Sequence, residues 1–271
     1  MKKETLILLV KKATEGDNLA LEEIILSIKD LVYNLSLRML LFSEDAKDAT
    51  QEILIKVVTN LGSYKGESAF TTWVYSIASN YLLTVKGKMA KQFALPFEEY
   101  AEMLDTGHSE SINYTQNEGE QLLLEEEVKV SCTHGLLLCL NEKSRLVYIL
   151  GEILNFDSQI GADILDLTPE NFRQILSRSR KQIRNFLQAK CGLMNPSNPC
   201  RCKKKVDFLI DREAIDPNNL RFAQHSKRSI ELVDQISEIE RSATIYRSTP
   251  QFATPESIVT KMKEIINLTK S

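Results

Sequence analysis

Two predicted helices separated by a very short break lie between residues 157 and 190, and they limit this chain to few folds. Asp157 is a typical N-cap, and the apolar residues that follow it recur at helical spacing. Thr168-Pro169-Glu170 then supplies a hydroxyl cap, a proline at the first helical position and an acid in the first turn. The second helix carries one apolar stripe, formed by Phe172, Ile175, Leu176, Ile183, Phe186 and Leu187. The pattern predicts a helix-turn-helix.

The side of the second helix opposite the apolar stripe is polar and basic. A major groove accepts such a helix, where Arg suits guanine and Gln suits adenine because each can form two hydrogen bonds with one base. The residues predicted to contact duplex DNA are Thr168, Glu170, Asn171, Arg173, Gln174, Ser177, Arg178 and Lys181. Arg180 and Arg184 are predicted to neutralise phosphates. An ordinary basic surface helix is the alternative, because helix-turn-helix geometry is common without DNA.

A second amphipathic helix is predicted between Glu44 and Leu61. Its apolar face consists of Ala46, Ala49, Ile53, Val57 and Leu61. The opposite face combines acids with apolar side chains, which favours a protein partner that carries basic groups. The residues predicted to bind that partner are Asp48, Gln51, Glu52 and Ile55. The alternative is a helix that is buried on all sides in a larger bundle.

Aromatic residues and lysines are concentrated in the next segment. A glycine-containing loop over 62–68 leads into a helix that contains the chain's single tryptophan. Aromatic rings stack on unpaired bases, and lysines neutralise the nucleic-acid backbone. The residues predicted to bind single-stranded DNA are Tyr64, Lys65, Trp73 and Asn80. Such a stripe is more often core, and we expect Phe70 and Trp73 to be mostly buried.

The chain as a whole shows no β alternation, so the predicted fold class is all-α. The predicted segments are a helical domain over 1–90, a flexible acidic linker over 91–128, a helix-turn-helix domain over 129–190, and a Cys-containing basic stretch with a helical extension over 191–271. Net charge is only −3. However, residues 98–127 hold ten acids and no Lys or Arg, and residues 171–206 hold ten Lys or Arg and no acid. This segregation predicts local partners of opposite charge.

The sequence shows neither a clear export signal nor a standard metal-binding motif. No apolar run approaches the ~18 residues of a membrane helix, and we expect a cytoplasmic protein. The five cysteines favour reduced thiols or metal ligands over a disulfide framework. The weak metal candidates, with zinc as the ion, are Cys191, Cys200 and Cys202. Their spacing matches no standard zinc motif, so zinc binding, redox sensing and inert thiols all stay open. A metal-dependent enzyme that uses the cysteines and His134 is disfavoured, and no catalytic residue or required cofactor is predicted.

Two parts of the chain resemble the extracytoplasmic-function sigma factors of bacterial RNA polymerase. Residues 45–57 and 70–80 are similar to sigma region two, and residues 140–150 with 162–180 are similar to region four. One departure is Gly161, where the family commonly has an apolar residue. The resemblance implies a non-enzymatic initiation factor that directs core polymerase to promoters and assists strand opening.

The same resemblance implies partners for each surface. The helix over 44–61 would dock on the clamp helices of the polymerase β′ subunit, and the region-four domain would meet the β flap. The aromatic segment, with Asn80, would capture flipped bases of the melted minus-ten element. The helix-turn-helix would read the minus-thirty-five element, and an anti-sigma factor is a further implied partner. A free-standing helix-turn-helix regulator that never docks on polymerase is the alternative.

The carboxyl-terminal segment lies beyond both resemblances. Thr254-Pro255-Glu256 begins a predicted helix. Apolar positions at helical spacing in this segment are Ile230, Val233, Ile236, Ile239, Ile258, Met262, Ile265 and Ile266. Such faces need to be covered. We hypothesise that residues 206–271 fold back on the body and restrain promoter access, with an added polymerase or DNA contact and a purely structural role as alternatives.

Overall fold

The computed structural model describes residues 3–85, 94–107, 109, 114–220 and 251–268. Within these residues the chain forms eleven α-helices and no β-strand, which confirms the all-α prediction. The helices are α1 (Lys3–Thr14), α2 (Asn18–Leu40), α3 (Ser43–Thr59), α4 (Phe70–Thr84), α5 (Phe97–Asp105), α6 (Glu118–Leu138), α7 (Glu142–Tyr148), α8 (Ser158–Leu165), α9 (Pro169–Lys190), α10 (Val206–Asp211) and α11 (Glu256–Leu268). A π turn over Ile149–Ile153 continues α7. None of the described helices combines the length and the apolar content needed to cross a membrane.

The first compact unit consists of residues 1–92, 157–172 and 251–271. Asp17 begins α2 by accepting hydrogen bonds from the backbone N–H groups of Leu19 and Ala20. Helices α2, α3 and α4 pack on one another, and α8 packs on α4. Apolar side chains of α2, α3 and α4 that are at most 1% exposed include Ile24, Ile28, Val32, Ile53, Val57, Val74 and Ala78. Burial of each larger side chain contributes about 1.5–3 kcal/mol to stability.

The last described helix, α11, belongs to the same unit and packs on α2 and α3. Its buried side consists of Ile258, Met262 and Ile266, and Ile265 is half-buried. The helical spacing therefore predicted this apolar face correctly. The other apolar face predicted in the extension, with Ile230, Val233, Ile236 and Ile239, lies outside the described residues.

The second compact unit consists of residues 93–156 and 173–250. Arg145 of α7 is buried, and its guanidinium donates hydrogen bonds to the carbonyl oxygens of Leu137, Leu138 and Leu140. A helix leaves its last carbonyl groups without partners inside the helix, so Arg145 fixes α7 against the end of α6. A buried cluster also joins α6 to the chain around α10, and its members are Leu124, Val128, Val206 and Ile215.

Part of the segment predicted as a flexible linker is helical, because α5 lies within it and α6 begins at Glu118. Tyr100 and Leu104 of α5 are buried, and the Tyr100 hydroxyl donates to the Cys132 carbonyl at 2.8 Å. Phe97, Tyr100 and Leu104 share one side of a helix at this spacing. The acid-rich composition concealed that short stripe, since Glu98, Glu99, Glu102 and Asp105 occupy the exposed side. The domain boundaries predicted from composition remain a prediction.

Candidate nucleic-acid interface

The first candidate surface lies on α9, which follows α8 after a turn over residues 166–168. The Asp157 carboxylate accepts hydrogen bonds from two backbone N–H groups in the first turn of α8. Asp166 ends α8 in the left-handed conformation, with a φ of 50°. The Thr168 hydroxyl then accepts a hydrogen bond from the backbone N–H of Asn171 at 3.1 Å, which begins α9. The caps predicted at Asp157 and Thr168 are therefore confirmed.

Helix α9 is buried along its apolar side and exposed along the other. Phe172, Ile183 and Leu187 are at most 4% exposed. All eight residues predicted to contact duplex DNA are exposed, namely Thr168, Glu170, Asn171, Arg173, Gln174, Ser177, Arg178 and Lys181. A single helix with its cap therefore presents these polar groups together, over about three turns.

The glycine that departs from the family pattern is explained by a neighbouring ring. A Cβ added to Gly161 would lie 2.4 Å from Cζ of Phe172, well inside van der Waals contact. Phe172 is itself fully buried, so its ring has little room to move away. Gly161 thus gives α8 the space that it needs against the first turn of α9.

Arg180 has a role that the sequence did not predict. Its Nε donates to the carboxylate of Glu152, which lies in the π turn after α7. The hydroxyl of its buried neighbour Ser179 donates to the Ile175 carbonyl at 2.9 Å. Arg180 therefore joins its own part of α9 to the turn after α7, instead of being wholly available for phosphates. Glu152, the one acid in the apolar run over residues 146–154, was the signal that could have revealed this pair.

The second candidate surface combines the loop after α3 with α4. Ring centroids are 5.1 Å apart for Tyr64 and Phe70, and 5.5 Å apart for both Tyr64–Trp73 and Phe70–Trp73. Phe70 is buried, whereas Trp73 and Tyr64 are half-buried. Burial raises the pKa of Tyr64, so its hydroxyl is neutral and donates to the Ser68 carbonyl at 2.9 Å. The expectation of a core role is confirmed for Phe70, and Trp73 keeps part of its ring accessible.

Lys65 and Asn80 extend this aromatic group on the exposed surface. Both side chains are exposed. Asn80 follows Trp73 by seven residues, which is two helical turns, so the two side chains share one side of α4 about 10 Å apart. A pocket between α1 and the loop is lined in part by Ile7, Lys11, Gly62, Tyr64, Lys65 and Gly66. The four predicted single-strand residues therefore lie on one loop and one helix.

The third candidate surface is the outer side of α3. Its predicted apolar face is buried, with Ala46, Ala49, Ile53, Val57 and Leu61 each at most 2% exposed. Asp48 and Glu52 are exposed, whereas Gln51 and Ile55 are half-buried. The alternative of a helix buried on all sides is therefore wrong. Asp48, Glu52 and Ile55 form a row along the helix at i, i+4 and i+7, with Gln51 beside it.

Comparison with known proteins decides the family. Residues 24–86 match the family model for Sigma-70 region 2, a range that includes α3, α4 and the loop between them. The chain is 30% identical over 186 residues to the ECF RNA polymerase sigma-E factor of Haemophilus influenzae, covering 66% of this chain and 94% of that protein. The chain belongs to the extracytoplasmic-function (ECF) sigma factors of RNA polymerase.

Other relatives agree with this assignment. The ECF RNA polymerase sigma-E factor of Escherichia coli is 29% identical over 182 residues, which cover 66% of this sigma factor and 93% of the relative. The RNA polymerase sigma-H factor of Pseudomonas aeruginosa is 26% identical over 183 residues, which cover 66% and 92%. The predicted family is thus confirmed: this sigma factor directs RNA polymerase to specific promoters, and the free-standing regulator is not favoured. About a third of the chain lies outside these alignments.

The five cysteines of this sigma factor are free thiols, and an isolated backbone bridge pairs Cys191 with Cys200. Burial, and next the neighbouring Cys191, raises the pKa of Cys132 to about 12. Burial, and next Cys132, raises the pKa of Cys202 well above its ordinary value. Such thiols are protonated at neutral pH, which disfavours fast redox chemistry. Among the residues that the structure describes, no group of three or more His, Cys, Asp or Glu side chains is arranged to hold a metal ion.

Proposed function

We propose that this sigma factor docks on core RNA polymerase through the outer side of α3 and reads its promoter at two places, through α9 and through α4 with its preceding loop. The observation that carries the proposal is the exposed polar side of α9, which stands opposite a buried apolar stripe on a capped helix. The polymerase supplies the chemistry, and the site of action is the cytoplasm.

Helix α9 reads the duplex minus-thirty-five element in the major groove. Arg173 and Gln174 lie in its first two turns, where their side chains reach base edges and can form paired hydrogen bonds with guanine and adenine. Arg178 and Lys181 lie farther along and contact phosphates, which adds affinity without sequence preference. Support comes from the exposure of all four side chains on a helix that buried Phe172 and Ile183 hold in place.

The surface formed by α4 and its preceding loop captures unpaired bases of the minus-ten element. Trp73 and Tyr64 offer partly exposed aromatic rings, and stacking on such rings stabilises a bound base by about 1–3 kcal/mol. Lys65 neutralises the strand backbone, and Asn80 donates to and accepts from a flipped base. These contacts form only after the strands separate, so they favour the open complex.

The outer side of α3 docks on the clamp helices of the polymerase β′ subunit. Asp48 and Glu52 supply negative charge, and Ile55 adds apolar surface next to Gln51. This combination fits a basic partner helix, because complementary charge steers association and apolar burial stabilises the complex. The region-four domain, which contains the helix-turn-helix, contacts the β flap in the same complex. An anti-sigma factor that covers the outer side of α3 would prevent docking.

Charge reversal tests the docking role. Asp48→Lys with Glu52→Lys reverses two exposed charges, and we expect binding to core polymerase to weaken on the order of tenfold or more, because rim charges govern association. The matched control is Glu15→Lys with Glu23→Lys, which makes the same change of charge at two other exposed acids of this unit. The measurement is the equilibrium affinity for core polymerase without DNA. Equal affinities for the two double variants would remove the docking role from α3.

A further inference from the structure

The segment before α11 is held on α2 by side chains that are buried or half-buried. Asn34 of α2 donates from Nδ2 to the Phe252 carbonyl at 2.7 Å, and its Oδ1 accepts from the Phe252 N–H at 2.8 Å. Oδ1 of Asp30 accepts from the backbone N–H and the hydroxyl of Thr254, at 2.8 and 2.7 Å. Burial alone would raise the pKa of Asp30, but hydrogen bonds from Lys29 and then Thr254 lower it. This segment is therefore attached at defined positions and not only through apolar contact.

Helix α11 itself adds apolar contacts and one ion pair to that attachment. Ile258, Met262 and Ile266 are between 1% and 5% exposed. On the polar edge, Nζ of Lys263 lies 2.9 Å from a carboxylate oxygen of Glu22 on α2. Burying three large apolar side chains gives the contact most of its stability, and the partly exposed ion pair mainly fixes its position.

The far edge of α11 reaches the outer side of α3. Lys261 Nζ donates to Oε1 of Gln51 at 3.3 Å. Gln51 is one of the four residues proposed to dock on polymerase, and both Gln51 and Ile55 are half-buried, whereas Asp48 and Glu52 are exposed. A partner that contacts Gln51 has to displace this hydrogen bond. Because packed helices lie about 8–10 Å apart, a partner helix over this edge of α3 would compete with α11 for the same space. Lys261 also brings a positive charge to this acidic side, as a basic partner would.

We propose that α11 is an autoinhibitory helix that covers one edge of the polymerase-docking side of α3 and has to leave before core polymerase can bind there. This inference rests on the proposed docking role of α3. It gives α11 a defined place of action, because α11 competes with polymerase for the outer side of α3. The fraction of molecules with α11 released then sets the apparent affinity for polymerase.

Destabilising α11 in the full-length chain is the first test. Met262→Asp places a charge at a buried position, whereas Thr260→Asp places the same charge at an exposed position of the same helix. Met262→Asp is expected to bind core polymerase on the order of tenfold more tightly than the wild type, a coupling typical of regulatory contacts. Thr260→Asp is expected to bind as the wild type does. Unchanged or weaker binding by a folded Met262→Asp protein overturns the proposal.

Locking α11 in place tests the same idea without disturbing the core. Glu22→Cys with Lys263→Cys places two thiols at the ion-pair positions, where a short bismaleimide can join them. The crosslinked protein is expected to lose most of its binding to core polymerase, and the same variant without crosslinker is expected to bind at least as well as the wild type. Full binding to core polymerase by a protein whose crosslink is verified by mass spectrometry overturns the inference. This test remains decisive if the Met262→Asp protein does not fold.

The outcomes separate this inference from the docking proposal. If the autoinhibitory inference alone fails, Asp48→Lys with Glu52→Lys still weakens binding to core polymerase. The α11 variants then bind core polymerase as the wild type does. If the docking proposal fails, that charge reversal leaves binding unchanged, and the autoinhibitory role is overturned with it.

Discussion

Lys261 donates a hydrogen bond to Gln51 across 210 residues of sequence, at a distance of 3.3 Å. The contact joins α11, close to the end of the chain, to the helix that carries the proposed polymerase-docking side. A sigma factor whose extension touches this helix has a built-in means of controlling its own availability. The side of α9 that is proposed to contact DNA is exposed, so polymerase binding is the step that α11 would control.

Gln174 is expected to read one base of the upstream element. Gln174→Ala removes a side chain that can form two hydrogen bonds with adenine, and we expect a loss of ~1–3 kcal/mol on the preferred sequence. Binding of the holoenzyme to templates with single substitutions measures the effect and locates the base position. Gln188→Ala is the control, since Gln188 is exposed on the same helix about 21 Å farther along. An equal loss on every template would mean that Gln174 contacts phosphate only.

Asn80 is expected to act after strand separation. Asn80→Ala should leave closed-complex formation nearly intact and reduce the fraction of open complex, because a flipped base becomes available only in the opened strand. Permanganate reactivity of unpaired thymines near the start site reports the open complex, and a gel-shift measurement at low temperature reports the closed one. Wild-type permanganate reactivity in the variant would exclude Asn80 from base capture.

A side chain at Gly161 is expected to destabilise the protein. In a helix interior Ala is favoured over Gly by about 1 kcal/mol, so propensity alone predicts stabilisation by Gly161→Ala. The contact of the new Cβ with Phe172 outweighs this gain, and we expect a net loss of ~1–2 kcal/mol in the free energy of unfolding. Thermal melting compares it with Gly62→Ala, where no atom lies within 4 Å of the added Cβ.

A double variant tests whether contact with the Phe172 ring is the cause of this loss. Gly161→Ala with Phe172→Leu replaces the ring by a smaller side chain, so the second substitution should cost less than it does alone. Strict additivity of the two stability changes would show that the ring at Phe172 is not what Gly161 accommodates.

The local sequence pattern correctly predicted features that depend on one helix alone, namely its buried side and its cap. The buried stripe of α9 and the buried side of α3 follow from the 3.6-residue period, and the cap at Thr168 follows from its hydroxyl next to Pro169. Exposure of the eight residues predicted to contact duplex DNA follows from the same period, since they lie opposite the stripe. Their side-chain chemistry favoured contact with DNA, but the particular promoter element was predicted only from the family resemblance, because the groups that they would contact belong to another molecule.

Long-range pairing was out of reach of such patterns. The Arg180–Glu152 ion pair, the seating of Phe172 on Gly161 and the contact of Lys261 with Gln51 all depend on tertiary structure. Helix α5 was missed for a different reason, since its three apolar positions are embedded in an acidic composition that is typical of a linker. For the three long-range contacts, the residue types were visible in the sequence, but the residues that they contact were not.

The cysteines are expected to react slowly in the native protein. Because burial raises the pKa of Cys132 to about 12, this thiol is almost wholly protonated at pH 8, whereas about a quarter of an ordinary thiol is ionised at that pH. Cys139, with its pKa also raised by burial to about 12, behaves in the same way. Alkylation by iodoacetamide should therefore be slow at pH 8 and keep rising to pH 10 and beyond, whereas in urea it levels off above pH 9. Rapid labelling of a native thiol at pH 7 would contradict this and favour redox sensing.

Mapping of transcription start sites tests the central claim most directly. Purified core polymerase and the full-length chain are incubated with fragments of genomic DNA, and the 5′ ends of the transcripts are mapped with and without the chain. The account predicts discrete new start sites that require both components, each preceded by shared upstream and minus-ten elements. Unaltered start sites, accompanied by sequence-specific DNA binding of the chain without polymerase, would contradict it.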